Sequence, residues 1–133
     1  MPATDYTADL IADALAHGSA YQGPATVYLA LVTTVPTATV AGTEVTLGGY
    51  ARKSFAQTGW TNDGAGGLTN TADIAWDEAS ADYDDDIVAI EAYDDDGDPA
   101  GNRLWYIVLT TAKTIVSGQT PKFLAGDLVL TVV

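Results

Sequence analysis

Cysteine is absent from the 133-residue chain, which excludes disulfide staples, thiolate zinc sites and thiol nucleophiles while leaving the redox compartment open. Basic residues are nearly as scarce: five Lys and Arg stand against eighteen Asp and Glu, for a net charge of −13. A surface of that sign repels phosphate backbones, so nucleic acid is not an expected partner. Long apolar runs are also missing. Stretches such as Tyr28 to Val32 fall far short of the ~20 residues that cross a bilayer, and no secretory signal is visible at the N-terminus, so no membrane association is expected and the chain reads as soluble and not conventionally secreted.

Apolar residues make up 47% of the sequence, enough to bury one core, and one domain spanning 1–133 is expected. Fifteen of the eighteen acids are Asp rather than Glu. That bias suits a salt-rich habitat, and a solubility role at ordinary ionic strength explains it equally well. From Thr4 to His17 the spacing is helical, with Leu10, Ile11, Ala14 and Leu15 on one face and Gly18 as the stop. Asp5, Asp9 and Asp13 form a like-charge row at i, i+4 spacing, so packing must hold this helix.

Beyond Pro24 the period becomes two. Ala25 to Thr34 reads as a central strand covered on both faces, followed by Thr43 to Leu47, Tyr50 to Gln57, Leu68 to Trp76, Ile87 to Tyr93, Arg103 to Thr110 and Leu128 to Val133. Lys113 to Val116 and Lys122 to Leu124 are weaker candidates, Gly48-Gly49 marks a turn or bulge, and Asn62 to Gly67 is a Gly-rich loop. The expectation is a mainly β fold, a β-sandwich or barrel of about seven to eight strands, with one short N-terminal α-helix at an edge or end. Its core should comprise Val27, Leu29, Leu31, Val88, Ile90, Trp105, Ile107, Leu128 and Leu130.

Residues with chemical potential are few. Asp94, Asp95, Asp96 and Asp98 invite a calcium reading, but aligning Gly97 with the glycine of an EF-hand loop puts Arg103 where a bidentate Glu is required. A hairpin loop with Gly97 at positive φ is the better reading. Asp82, Asp84, Asp85 and Asp86 lie at the other end of the Ile87 to Tyr93 strand, roughly 20 Å away at ~3.3 Å per residue, so the two runs cannot form one site. His17 ends the helix without a recognisable acid-base partner. No nucleophile elbow, Walker loop or dinucleotide fingerprint is present. The chain is therefore expected not to be an enzyme and to carry no catalytic residue, no cofactor and no metal. Trp60, Trp76 and Trp105 are expected as core or interface anchors, or else as exposed platforms on which sugars or bases stack.

Several segments together carry a resemblance: Pro24-Ala25-Thr26-Val27-Tyr28-Leu29-Ala30-Leu31-Val32-Thr33-Thr34-Val35-Pro36, Gly42-Thr43-Glu44-Val45, Gly48-Gly49-Tyr50-Ala51-Arg52, Leu109-Thr110-Thr111-Ala112-Lys113-Thr114-Ile115-Val116-Ser117-Gly118-Gln119, and Phe123-Leu124-Ala125-Gly126-Asp127-Leu128-Val129-Leu130. In this order, over nearly the full length, the chain resembles a family of small tailed-phage virion proteins. Members are variously described as capsid decoration, minor capsid or tail-fibre proteins, so the resemblance implies a virion structural component and brings no catalytic residues. The acidic stretches Asp82 to Asp86 and Asp94 to Asp98 depart from the family pattern. With no shaft repeats or coiled-coil heptads in view, head decoration on the outer capsid surface is the first expectation, and a tail-fibre or tail-tip component or a host-surface carbohydrate-binding module is the alternative. The expected partner is the major capsid protein lattice, or tail proteins, met by a homo-oligomer, possibly a trimer, with Arg52 and Lys53 as possible lattice contacts.

Overall fold

The computed structural model describes residues 3–18, 23–24, 26–97 and 101–131. Helix α1 is Asp5–His17. Nine strands follow among the described residues: β1 (Thr26–Val32), β2 (Lys53–Ala56), β3 (Trp60–Asn62), β4 (Gly67–Asn70), β5 (Ile74–Ala75), β6 (Ile87–Tyr93), β7 (Arg103–Lys113), β8 (Lys122–Phe123) and β9 (Val129–Thr131). They form a four-stranded sheet in the order β2-β1-β6-β7, a three-stranded sheet β3-β4-β9 and a two-stranded sheet β5-β8, all with antiparallel pairing. The fold is mainly β with one short helix, as its patterning indicates, and no sheet closes into a barrel.

Strand β1 is central for the reason its sequence gives. Leu29, Ala30, Leu31 and Val32 are all fully buried, with β2 on one side and β6 on the other. One core cluster joins Val27, Leu29, Leu31, Ile90 and Ala92 from the large sheet, Ile74 and Phe123 from the smallest, and Leu128 just before β9, where Leu130 is also buried. Trp105 and Ile107 pack against it partly buried. Val88 is a correction, being half-exposed while Ile87 joins the core. A register shift between Ile87 and Ala89 breaks the period-two alternation at that point.

Other boundaries moved because pairing partners, not propensity, set them. Thr43 to Leu47 is not a strand: it meets β1 through a single bridge, Val32 opposite Glu44, flanked by Thr33 N–H to Thr43 O (2.8 Å) and Val45 N–H to Leu31 O (3.1 Å). The expected Leu68 to Trp76 strand is two, because at Asn70 the chain leaves one sheet for another. The Asn70 amide bonds Ala72 O and Leu124 O and receives the Gly126 and Leu128 N–H groups. Strand β7 continues to Lys113, absorbing the start of the weaker Lys113 to Val116 candidate. Ala25, Val132 and Val133 lie outside the described residues.

Helix α1 begins as expected, with Thr4 as N-cap accepting the Thr7 N–H, and ends on Gly18 at φ 68°. None of its residues is fully buried: Leu10, Ile11 and Ala14 of the expected face are half-buried, whereas Leu15 departs from it at 83% exposed. Polar bonds fix its first turn: Thr4 N–H and the Thr7 hydroxyl both donate to Leu104 O (3.1 and 2.7 Å), and the Thr4 hydroxyl reaches Arg103 O. Strand β7 therefore holds the first turn of the helix.

Candidate interaction surfaces

Residues 33–44 leave β1 and fold back across the sheet. Two ion pairs pin this segment. Glu91, in the middle of β6, is completely buried, and its Oε2 lies 2.8 Å from Arg103 Nη1, whose side chain is only 9% exposed. Glu91 Oε1 accepts the Gly42 N–H at 3.1 Å, and Arg103 Nη2 donates to Thr37 O. Burial pushes the Glu91 carboxyl above its ordinary value, opposed by Arg103 beside it. Gly42 is required here, since a Cβ would stand 2.6 Å from Thr34 O and 2.8 Å from the Val32 side chain.

At the end of the segment, Arg52 forks onto Glu44, with Nε to Oε1 at 3.0 Å and Nη2 to Oε2 at 2.9 Å, and donates through Nη1 to Asp95 O. The guanidinium also stacks 3.7 Å from the centre of the Tyr93 ring. The Tyr50 hydroxyl donates to Glu44 (2.8 Å) and accepts the Leu31 N–H (2.9 Å), completing the edge of β1 where β2 has ended. Burial raises the Tyr50 hydroxyl well above its usual value and that of Tyr93 to about 12, so both stay protonated donors. Both arginines of the chain, Arg52 and Arg103, are thus turned inward. An external contact through Arg52 would require breaking these bonds, and of the expected pair only Lys53, half-exposed at the start of β2, keeps its amine free of such commitments.

The tryptophans separate. Trp76 is buried against Phe123, which removes it as an exposed platform. Trp60 packs edge-to-face with Phe55 and with Trp105, each at 5.4 Å between ring centres, and with Trp105, Pro24, Val27, Leu68 and Leu104 it lines an open groove of about 340 Å³ beside Thr7 of the helix. The sequence contained both residues but not their juxtaposition, which depends on β3, a strand that its Trp-Thr-Asn triplet is too short to announce.

The acidic runs sit at opposite ends of β6, as expected. Their carboxylates are hydrogen-bond acceptors for the loops: Asp84 takes the Thr46 hydroxyl and the Thr46 and Leu47 N–H groups, Asp82 takes Ser117 N–H, Asp86 the Thr114 hydroxyl, and Asp94 the Asn102 N–H and amide. Asp98 lies outside the described residues. Among the described residues no three His, Asp or Glu side chains converge as a metal site. His17 bonds Asp13 one turn back at 3.0 Å, exposed at the helix end.

Comparison with known proteins adds one finding. The family model described as podophage GP4 fiber I protein gp80 matches residues 2–131. No curated protein matches.

Proposed function

Because the chain belongs to the podophage GP4 fiber I protein gp80 family, and is therefore a virion structural protein of a tailed phage, we propose that it is a subunit of a tail fibre and acts by assembly, not catalysis. The match over residues 2–131 carries this reading, since it takes in every element from α1 to β9. The partners are then other tail proteins and further copies of the chain. Head decoration, favoured by the lack of shaft repeats, has no comparable support, because a fibre can be built from stacked or clustered small domains as well as from a coiled coil. The charge of −13 suits a component that stays clear of the packaged genome. Antibodies against the purified chain, used to label intact virions in electron micrographs, test the proposal. Label on tail appendages is expected; label spread over the head would return the chain to capsid decoration.

A further inference from the structure

We propose that the tip of the 33–43 segment is a self-association surface, at which Val35 and Val40 of one copy pack against the same residues of another. Val35 and Val40 are 63% and 62% exposed. They are not the only exposed apolar side chains, so the question is what surrounds each one. Leu15 is a lone large apolar side chain exposed near the helix end, turned away from the Asp5, Asp9 and Asp13 row. The Leu47 N–H is bonded to Asp84, Val116 precedes Ser117 bonded to Asp82, and Leu124 is flanked by Asp127 and Asp73 through N–H bonds at Leu124 and Ala125. Val108 and Val129 border a groove that contains Asp127 and Lys113. Apart from Leu15, which stands alone, each of these sites puts a charge beside the apolar group.

The 33–43 tip does not. From Ala14 to Thr43 the sequence has no Asp, Glu, Lys or Arg, in a chain that carries eighteen acids in all. Charged residues meet the segment at other positions than the two valines: the Asp5 N–H bonds Ala38 O, Arg103 donates to Thr37 O and is neutralised by Glu91, Glu91 accepts the Gly42 N–H, and Glu44 follows Thr43. Nor is the tip slack. Thr37 N–H bonds Val40 O (2.9 Å), Val40 N–H bonds the Thr37 hydroxyl (3.0 Å), and Thr43 N–H bonds the Thr34 hydroxyl (2.8 Å). Holding two valines rigidly in water contributes nothing to the fold, whereas a preformed surface loses little entropy on docking.

Charge decides the occupant. Two chains of −13 repel wherever acids would face each other, and a like-charge juxtaposition costs several kcal/mol at a desolvated contact. A neutral apolar tip is the surface on which two such chains can meet without that opposition, and a symmetric contact of the same patch on each copy closes without leaving an open end. The inference does not depend on where the chain sits on the virion.

Sedimentation of the purified chain over a concentration series tests it, with Val35→Asp, Val40→Asp and, as a control for exposed apolar groups in general, Leu15→Asp. Wild type and Leu15→Asp should associate, and each valine variant should bind its like roughly tenfold or more weakly. Unchanged thermal melting shows that the variants fold; if the aspartates disturb the tip, Val35→Ser with Val40→Ser removes the apolar contact without adding charge. A wild type that stays monomeric, valine variants that associate normally, or an equal loss in Leu15→Asp would each overturn the proposal.

Discussion

Why aspartate and not glutamate becomes clear one residue at a time. A short carboxylate reaches N–H groups two to four residues away, and Asp63 does this for Ala65 and Gly67, Asp95 for Gly97, and Asp127 for Leu124. Composition alone left solubility and salinity as the readings of this bias; the loops supply a third, since the acids close the turns. A titration follows. The carboxyls of Asp63, Asp73 and Asp84 lie below their ordinary range, held there first by the Ala65 N–H, the Ala125 N–H and the Thr46 hydroxyl respectively. A folded value below the unfolded one means stability that is present above the unfolded value of about 3.9 and disappears as pH falls through the folded values. The melting temperature should hold down to about pH 5 and drop below about pH 4. Acid also relieves the repulsion among the eighteen acids, an opposing effect common to all variants. Asp84→Asn should therefore melt lower than wild type at pH 7 and show a shallower acid drop. Parallel acid profiles for the two proteins would remove Asp84 as a loop-closing acceptor.

At the scale of elements, the legible parts were those with a local signature. The helix has its cap and its stop, β1 and β6 are rich in apolar residues with Glu91 the one charge between them, and the glycine pair at Gly48 and Gly49 turns at φ 73° and 71°. What the sequence could not show was decided at a distance. Thr43 to Leu47 has strand composition but is held by a single bridge, β3 is three residues long, and Asn70 divides one apparent strand by bonding to residues more than fifty positions away. The same holds for the charge cluster: Glu44, Arg52, Glu91 and Arg103 were visible as letters, and only the pairing of β6 with its neighbours brings Glu91 to Arg103. Because that pair is buried, removing one partner strands the other. Arg103→Ala should lose about 3–5 kcal/mol, together with the bond to Thr37 O that ties down residues 33–44. Its pH dependence has a definite sign. The Glu91 carboxyl, already raised by burial, loses in the variant the guanidinium that opposed the rise. A raised folded value gives stability that is present below the unfolded value and is lost as pH rises, so the deficit should be larger at pH 8 than near pH 5. Chemical denaturation of both proteins at the two pH values measures it, and a deficit that does not grow with pH would mean that Glu91 is not the group left stranded.

For the whole molecule, the governing fact is a charge of −13 carried by 13.8 kDa, with both arginines consumed internally by Glu44 and Glu91. Three lysines remain to offset the surface acids, and one of them, Lys122, is paired with Asp73. Isolated chains therefore repel over distances set by the screening length, about 30 Å at 0.01 M salt and about 8 Å at 0.15 M. Contact through Val35 and Val40 is apolar and draws on burial, which salt does not weaken. The two effects have opposite reach: repulsion acts between whole chains before they touch, attraction only once the tips meet. Raising salt should consequently tighten self-association, the reverse of what an interface built on ion pairs such as Lys53 with a surface acid would do. The measurement is the dissociation constant by sedimentation at about 0.01, 0.05 and 0.15 M sodium chloride, a range over which the screening length shrinks by more than half. Association that strengthens across the series, and that Val40→Asp weakens at every salt concentration, fits an apolar contact between mutually repelling bodies. Association that weakens with salt would place the contact at Lys53, Lys113 or Lys122, opposite acids of the neighbouring copy, and would move the interface away from the 33–43 tip.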